Sequence, residues 1–231
     1  MAKIISIDGN IGSGKSTLLH KLKEYINGDL EGKDRGNNKI IFLQEPVDQW
    51  LEIKDKNGKD VLTNFYENPI KYSFAFQMMA YISRLSLLKK CISENPDAII
   101  ITERCLNTDR YVFAKMLYDD GKLDEIEYHI YLKWFNDFID VIKIQKTVYL
   151  KTCPSICRER INKRKRDGED NISIEYLTNC HKYHQDMVLH MYGKECCEED
   201  NPNILVINSD IDFSENNGIM DSWINQIFAF I

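Results

Sequence analysis

Positive charge is in short supply: 30 lysines and arginines stand against 36 acidic residues, a formal net charge of -6. That balance argues against a protein that coats nucleic acid through its phosphates. Long apolar runs are also missing. The most hydrophobic stretches are short or broken by charge, which excludes a membrane-spanning helix and gives no reason to expect a membrane partner. No pair among the seven cysteines has the C-x-x-C spacing of a zinc site. Cys153 and Cys157, like the Cys196-Cys197 doublet, have no histidines at finger spacing beside them, so all are read as reduced thiols. There is no internal repeat and no low-complexity tract. With the first strand beginning at Lys3, no signal or transit segment is visible, and the expectation is a cytoplasmic protein. At 43% hydrophobic, 231 residues suffice for one substantial core, and residues 1–231 are expected to form a single domain.

What is present begins at the first strand. Lys3-Ile4-Ile5-Ser6-Ile7-Asp8 leads into Gly9-Asn10-Ile11-Gly12-Ser13-Gly14-Lys15-Ser16-Thr17, which fits G-x-x-x-x-G-K-[ST]. Glycines let such a loop curl until its N–H groups face phosphate oxygens, a lysine reaches the outer phosphates, and a serine hydroxyl ligates Mg²⁺. Leu18-Leu19, Leu22 and Ile26 follow at helical spacing, so a helix N-terminus adds its positive dipole end. Strand before and helix after make this a nucleoside-triphosphate-binding loop.

Further strands are expected at Lys39–Leu43, Ala98–Thr102, Thr147–Leu150 and Ile204–Ile207, after the first at Ile4–Ile7. Helices are expected to about Ile26, from Pro69 to about Glu94, over Thr108–Leu117 and Leu123–Phe138, over Tyr176–Met191, and over Met220–Phe230. Gly28–Asn38, Asp55–Lys59 and the acidic stretch near Glu198 read as loops or turns. After Pro154 comes a basic helical run holding Arg158, Arg160, Lys163, Arg164, Lys165 and Arg166. Alternating strands and helices imply an α/β fold, a five-stranded parallel sheet with helices on both faces.

Ligands of such sheets bind beyond the carboxyl ends of the strands. Glu45 falls there, either as a base for an attacking hydroxyl or as a carboxylate capping a turn. Glu103 and Arg104 end the third strand as an acid–base pair beside the phosphates. They serve Mg²⁺ and a phosphoryl group, or else form a structural ion pair. Arg160, Arg164 and Arg166 form either a solvated helix face or a basic lid over the phosphates.

At this point the chain resembles the deoxynucleoside kinase family, in particular its deoxycytidine and deoxyguanosine kinase branch. The resemblance spans nearly the whole chain. It rests on the phosphate loop, Glu45-Pro46-Val47 with Trp50, Phe65-Tyr66-Glu67 with Pro69, Ser73-Phe74 with Phe76-Gln77, Glu103-Arg104, and Asp109-Arg110-Tyr111 with Phe113. It implies a P-loop kinase fold with a basic lid, and transfer of the γ-phosphoryl of Mg²⁺-bound ATP or UTP to a deoxynucleoside 5′-hydroxyl in nucleotide salvage. Glu45 is then the general base, Lys15 and Arg104 act on the phosphates, and Ser16 and Glu103 face the metal. Gln77 reads the base edge between walls of Trp50, Phe76 and Phe113, with Leu62 and Phe65 at the pocket's rim. Tyr66 and Glu169 match the pair that holds the sugar 3′-hydroxyl. Ala80, Arg84 and Asp109 resemble the arrangement of the deoxycytidine and deoxyguanosine kinases, so deoxycytidine and purine deoxynucleosides are expected over thymidine. A homodimer through the Phe74–Ile92 region is implied as well.

The chain departs from the family in Asp8, where a glutamate is usual, in Gly12-Ser13, and in a shorter stretch between Trp50 and Phe65. Two rival readings stay in view. A thymidylate-type kinase would place an Asp-Arg pair after the third strand and bind an acceptor phosphate. A non-catalytic family member would not retain Lys15, Ser16, Glu45, Glu103 and Arg104 together.

Overall fold

A computed structural model describes residues 2–28, 39–139, 142–166, 168–193, 201–211 and 217–231. The first half of the chain runs β1 (Lys3–Gly9), α1 (Lys15–Gly28), β2 (Ile40–Leu43), α2 (Val47–Glu52), α3 (Val61–Glu67), α4 (Pro69–Glu94) and β3 (Ile99–Glu103). Next come α5 (Leu106–Thr108), a π-helical turn (Asp109–Ala114), α6 (Lys115–Asp119), α7 (Glu125–Ile139) and β4 (Lys146–Lys151). The chain continues through α8 (Pro154–Arg164), a 3-10 turn (Glu169–Asn171), α9 (Ile174–Tyr192), β5 (Ile204–Asn208) and α10 (Asn217–Phe230).

The strands form one parallel sheet in the order β2-β3-β1-β4-β5. A parallel sheet needs both faces covered, and the alternation of β-branched residues provides for that. Ile5, Ile7 and Ile101 face α1 and α10, where Leu18, Leu19, Leu22, Trp223 and Ile227 close one core. Ile4 and Ile100 face the opposite side, against Tyr81, Leu85 and Leu88 of α4 and Tyr131 and Phe135 of α7. The chain leaves β1 first towards β2 and β3 and later crosses to β4 on the other flank. That reversal opens a crevice at the carboxyl end of β1, where the phosphate loop begins.

The expected strands and their parallel pairing are present. Three details differ. The polar turn expected at Asp55–Lys59 is present, but it is flanked by helices α2 and α3, which were not expected. Each is too short to show a helical repeat, and α3 depends on Asp60, whose carboxylate accepts from Thr63 N at 2.8 Å. The helix expected over Thr108–Leu117 is divided by the π-helical turn. The basic run does not stay helical: α8 stops at Arg164, Lys165 is left-handed (φ 51°), and Arg166 lies beyond the helix. The loops read at Gly28–Asn38 and near Glu198 fall largely or wholly on residues 29–38 and 194–200, outside the described residues.

Leu22 is fully buried between α1 and the sheet. Leu22→Ala is expected to lower unfolding free energy by about 3 kcal/mol, the usual cost of a buried leucine cavity, as read by urea denaturation. A loss under about 1 kcal/mol would show that this face of the sheet repacks or is not sealed by α1.

Candidate active site

The phosphate loop is held from below and left open above. Asn10 Nδ2 donates to Leu177 O at 2.9 Å, tying the loop to α9, and Asn10 Oδ1 accepts from Ile11 N. Ser13 O accepts from Ser209 Oγ at 2.9 Å and from Arg160 Nη1 at 3.3 Å. Gly12 (φ +78°) passes so close to α8 that an added Cβ would stand 2.5 Å from the Cys157 carbonyl. Lys15 Nζ curls back onto Gly9 O and Asn10 O at 3.0 and 2.6 Å. Burial, reinforced by the Arg104 charge, lowers its pKa to about 7. Ser16 Oγ donates to Glu103 Oε1 at 2.5 Å.

Arg104 leaves β3 in the left-handed region, φ 68°, a conformation that costs a non-glycine residue energy and needs outside support. The support is visible on both sides. Arg104 N donates to Ile7 O at 2.9 Å, and the next amide, Cys105 N, donates to buried Asp8 Oδ1, which also accepts from the Thr108 hydroxyl. The turn sends the guanidinium away from Glu103. Arg104 Nη1 donates to Gly9 O at 3.0 Å, Nε lies 3.3 Å from Glu45 Oε1, and the group covers the Phe113 ring at 4.8 Å. Of the two readings of Glu103 and Arg104, the structural ion pair is not formed: Glu103 meets Ser16, and Arg104 meets Glu45.

Glu45 is no surface cap. Arg84 Nη2 donates to its Oε1 at 2.5 Å while Arg84 Nη1 donates to Asp109 Oδ1, so one buried guanidinium from α4 bridges two carboxylates. Burial disfavours the Glu45 charge, but the Arg104 and Arg84 guanidiniums outweigh it and hold the pKa at about 2. Beside this network lies an aromatic wall. Phe65 stacks on Phe76 at 4.6 Å, Trp50 meets Phe76 edge-on at 5.4 Å, and Trp50 Nε1 donates to Ser83 Oγ at 2.9 Å. Gln77 Oε1, Asp109 Oδ2 and Arg84 Nε are buried without a hydrogen-bond partner. Atoms of this kind are costly unless a ligand completes them.

Phosphate loop, charge network and aromatic wall share one cavity of about 630 Å³. Ile11, Gly12, Gly14, Lys15, Ser16 and Thr17 line one end, with Arg160, Arg164 and Arg166 beside them. Leu62, Phe65, Phe76, Gln77 and Ala80 line the other, together with Trp50, Phe113, Tyr66 and Glu169. Glu45, Arg84, Glu103, Arg104 and Asp109 also face it. Among the expected site residues Gly9, Asn10 and Ser13 do not line it; they hold the loop up from beneath. Val47 of the Glu45-Pro46-Val47 motif and Lys163 of the basic run also line it, whereas Gln44, Asp48 and Tyr176 were not expected there. Asp48 and Val47 belong to the short α2, which has no periodic signal.

This geometry agrees with what the chain is similar to. The family model described as deoxynucleoside kinase matches residues 5–231. The probable deoxycytidine kinase of fowlpox virus (strain NVSL) is 34% identical over 99% of this chain and 88% of its own. Human deoxycytidine kinase is 34% identical over 81% of this chain and 76% of its own. The mitochondrial deoxyguanosine kinase of Xenopus laevis is 27% identical over 99% and 89%. The chain belongs to the deoxynucleoside kinase family. It is a phosphotransferase of that family, and its parallel sheet with surrounding helices is the family's α/β P-loop kinase fold.

The three arginines expected to form a basic lid divide their contacts. Arg160 holds the phosphate loop and donates to Ile211 O at 3.0 Å. Arg164 and Arg166 both hold Glu169. No helix among the described residues is long and apolar enough to cross a membrane.

The Glu45 shift makes a direct prediction. A carboxylate whose folded pKa is depressed adds stability that is present above its ordinary pKa of 4.5 and is lost as pH falls towards about 2. The ¹³C carboxylate resonance of Glu45 is therefore expected to stay at its ionised position from about pH 8 down to about pH 3. A midpoint at or above 4.5 would contradict the charge network.

Proposed function

We propose that the chain phosphorylates the 5′-hydroxyl of a deoxynucleoside from a nucleoside triphosphate, in nucleotide salvage, with deoxycytidine and the purine deoxynucleosides preferred over thymidine. One observation carries the reading. Glu45 is bonded to Arg84 on the aromatic side of the cavity and paired with Arg104, which touches the phosphate loop. An ionised carboxylate at that junction is where a neutral hydroxyl must lose its proton on its way to a phosphoryl group.

In this reading Gln77 hydrogen-bonds the base edge through its unpartnered Oε1 and its amide N–H₂, while Phe76 and Phe113 bound the ring. Tyr66 and Glu169 hold the 3′-hydroxyl. With the acceptor so placed, Glu45 takes the 5′-hydroxyl proton as the oxygen attacks the terminal phosphorus. Arg104 and Lys15 stabilise the charge that spreads over the transferring group. Lys15, kept near its midpoint by burial, regains a full charge when phosphate oxygens replace Gly9 O and Asn10 O as its partners. The donor is ATP or UTP.

The Ser16 hydroxyl and Glu103 carboxylate supply hard oxygen ligands in contact with one another, which suits Mg²⁺ with phosphate oxygens and water completing its shell. When bound, Mg²⁺ neutralises phosphate charge and orients the donor. Base preference follows from Arg84 and Asp109. Both are almost fully buried beside Ala80, so a thymine 5-methyl would press on a desolvated ion pair rather than an apolar wall.

The same proposal includes a cytoplasmic homodimer built as one catalytic domain per chain. Ile82 of α4 and Ile126, Ile130 and Trp134 of α7 are exposed, the last three spaced along one helix face, and α4 packs on α7. Light scattering is expected to give twice the chain mass, and Trp134→Glu to halve it. A monomer in both cases would remove the dimer.

The function itself is tested by Mg²⁺·ATP-dependent phosphorylation of deoxycytidine, deoxyadenosine, deoxyguanosine, thymidine and thymidine monophosphate. At least one of the first three is expected to exceed thymidine at least about tenfold in kcat/KM, a difference of about 1.4 kcal/mol in transition-state binding. A thymidine preference would overturn the reading of Arg84 and Asp109. Activity on the monophosphate alone would overturn the choice of acceptor.

A further inference from the structure

Of the arginines expected in the lid, Arg160 meets the phosphate loop, while the other two are spent on a single buried carboxylate. Arg164 donates to Glu169 Oε2 through Nε at 3.1 Å and Nη2 at 2.5 Å, and Arg166 Nη1 donates to Oε1 at 3.2 Å. The Glu169 side chain is 4% exposed, whereas each arginine side chain is 34% exposed. The anion is thus fixed and its cations are at the surface of the cavity.

Glu169 is fixed by its backbone. It starts a 3-10 turn just after Gly168 (φ +82°), and this glycine lies against α3 so closely that an added Cβ would stand 2.8 Å from Thr63 Oγ1 and 3.2 Å from Thr63 Cα. Helix α3 is the element that supplies Leu62, Phe65 and Tyr66 to the acceptor end of the cavity. Tyr66 of that helix lines the same cavity as Glu169, and its phenol is pushed up by burial and then by the Glu169 charge. Arg164, by contrast, ends α8, the helix whose Cys157 carbonyl abuts Gly12 of the phosphate loop. One carboxylate therefore belongs by backbone to the acceptor pocket and by ion pair to the donor side.

We propose that Glu169 couples the two substrates. When donor phosphates draw Arg164 and Arg166 away, the buried Glu169 carboxylate loses its donors and takes the acceptor's 3′-hydroxyl as replacement. A bound acceptor hydroxyl equally releases the arginines for phosphate. Coupling between two ligands is reciprocal, so each strengthens the other, and only for acceptors that carry the 3′-hydroxyl. This inference rests on the nucleoside-kinase reading above.

The experiment measures dissociation constants by calorimetry for the 2′-deoxynucleoside that the enzyme phosphorylates best and for its 2′,3′-dideoxy counterpart. Each is measured alone and with a saturating, non-hydrolysable Mg²⁺·ATP analogue. The analogue is expected to tighten the 3′-hydroxylated nucleoside about tenfold, the scale of one charge-assisted hydrogen bond, and the dideoxynucleoside by less than about twofold. Glu169→Gln is expected to erase the difference. Arg166→Gln, which leaves Glu169 in place, is expected to tighten the deoxynucleoside without any analogue and to shrink the coupling. Equal tightening of both nucleosides, or coupling that survives Glu169→Gln, would overturn the inference while leaving the kinase reading intact. Failure of the deoxynucleoside itself to bind would overturn both.

Discussion

A guanidinium buried under a protein surface demands anions, and here two such groups draw on the same one. Arg84 from α4 and Arg104 from the end of β3 both reach Glu45, and Arg84 is completed by Asp109 from the π-helical turn. Removing any member leaves an uncompensated charge in a poorly solvated place, a loss typically of about 3–5 kcal/mol. The network therefore fixes the relative positions of three stretches separated in sequence: the end of β2, α4, and the segment from Arg104 to Asp109. It also decides chemistry: it keeps Glu45 ionised and places it between aromatic wall and phosphate loop.

The parallel sheet makes that convergence available. Strand order β2-β3-β1-β4-β5 brings the carboxyl ends of β1, β2 and β3 side by side, so Asp8, Glu45 and Arg104 rise from neighbouring strands. Asp8 then acts beneath the surface. By accepting from Cys105 N and the Thr108 hydroxyl it pins the turn in which Arg104 adopts its left-handed backbone. Asp8 is thus a working part of this turn.

Much of this was legible beforehand. The phosphate loop announces itself because glycine, lysine and serine sit at fixed offsets between a strand and a helix, and all five strands show as runs of β-branched residues. The pairing of Arg84 with Asp109 was also expected, and the structure adds Glu45 as a second anion on the same arginine. Other features carried no local signal. Helices α2 and α3 are too short for a hydrophobic repeat, and α3 rests on one aspartate cap. Adjacency left open whether Glu103 and Arg104 pair with each other; the positive φ of Arg104 sends them to different neighbours. The lid read as a continuous helix because nothing in Lys165-Arg166 breaks one; the break comes from the left-handed Lys165 and the ion pairs to Glu169.

Glu45 is proposed as the group that takes the acceptor's proton, and Glu45→Gln tests that role most directly. The amide keeps size and one acceptor oxygen, so nucleoside binding should persist within a few-fold, whereas single-turnover phosphorylation should fall by about a hundredfold or more, the range set by losing a general base. Binding retained with turnover abolished is the predicted result. Near-normal turnover in the variant would contradict the assignment, and the charge network would then be a structural device only.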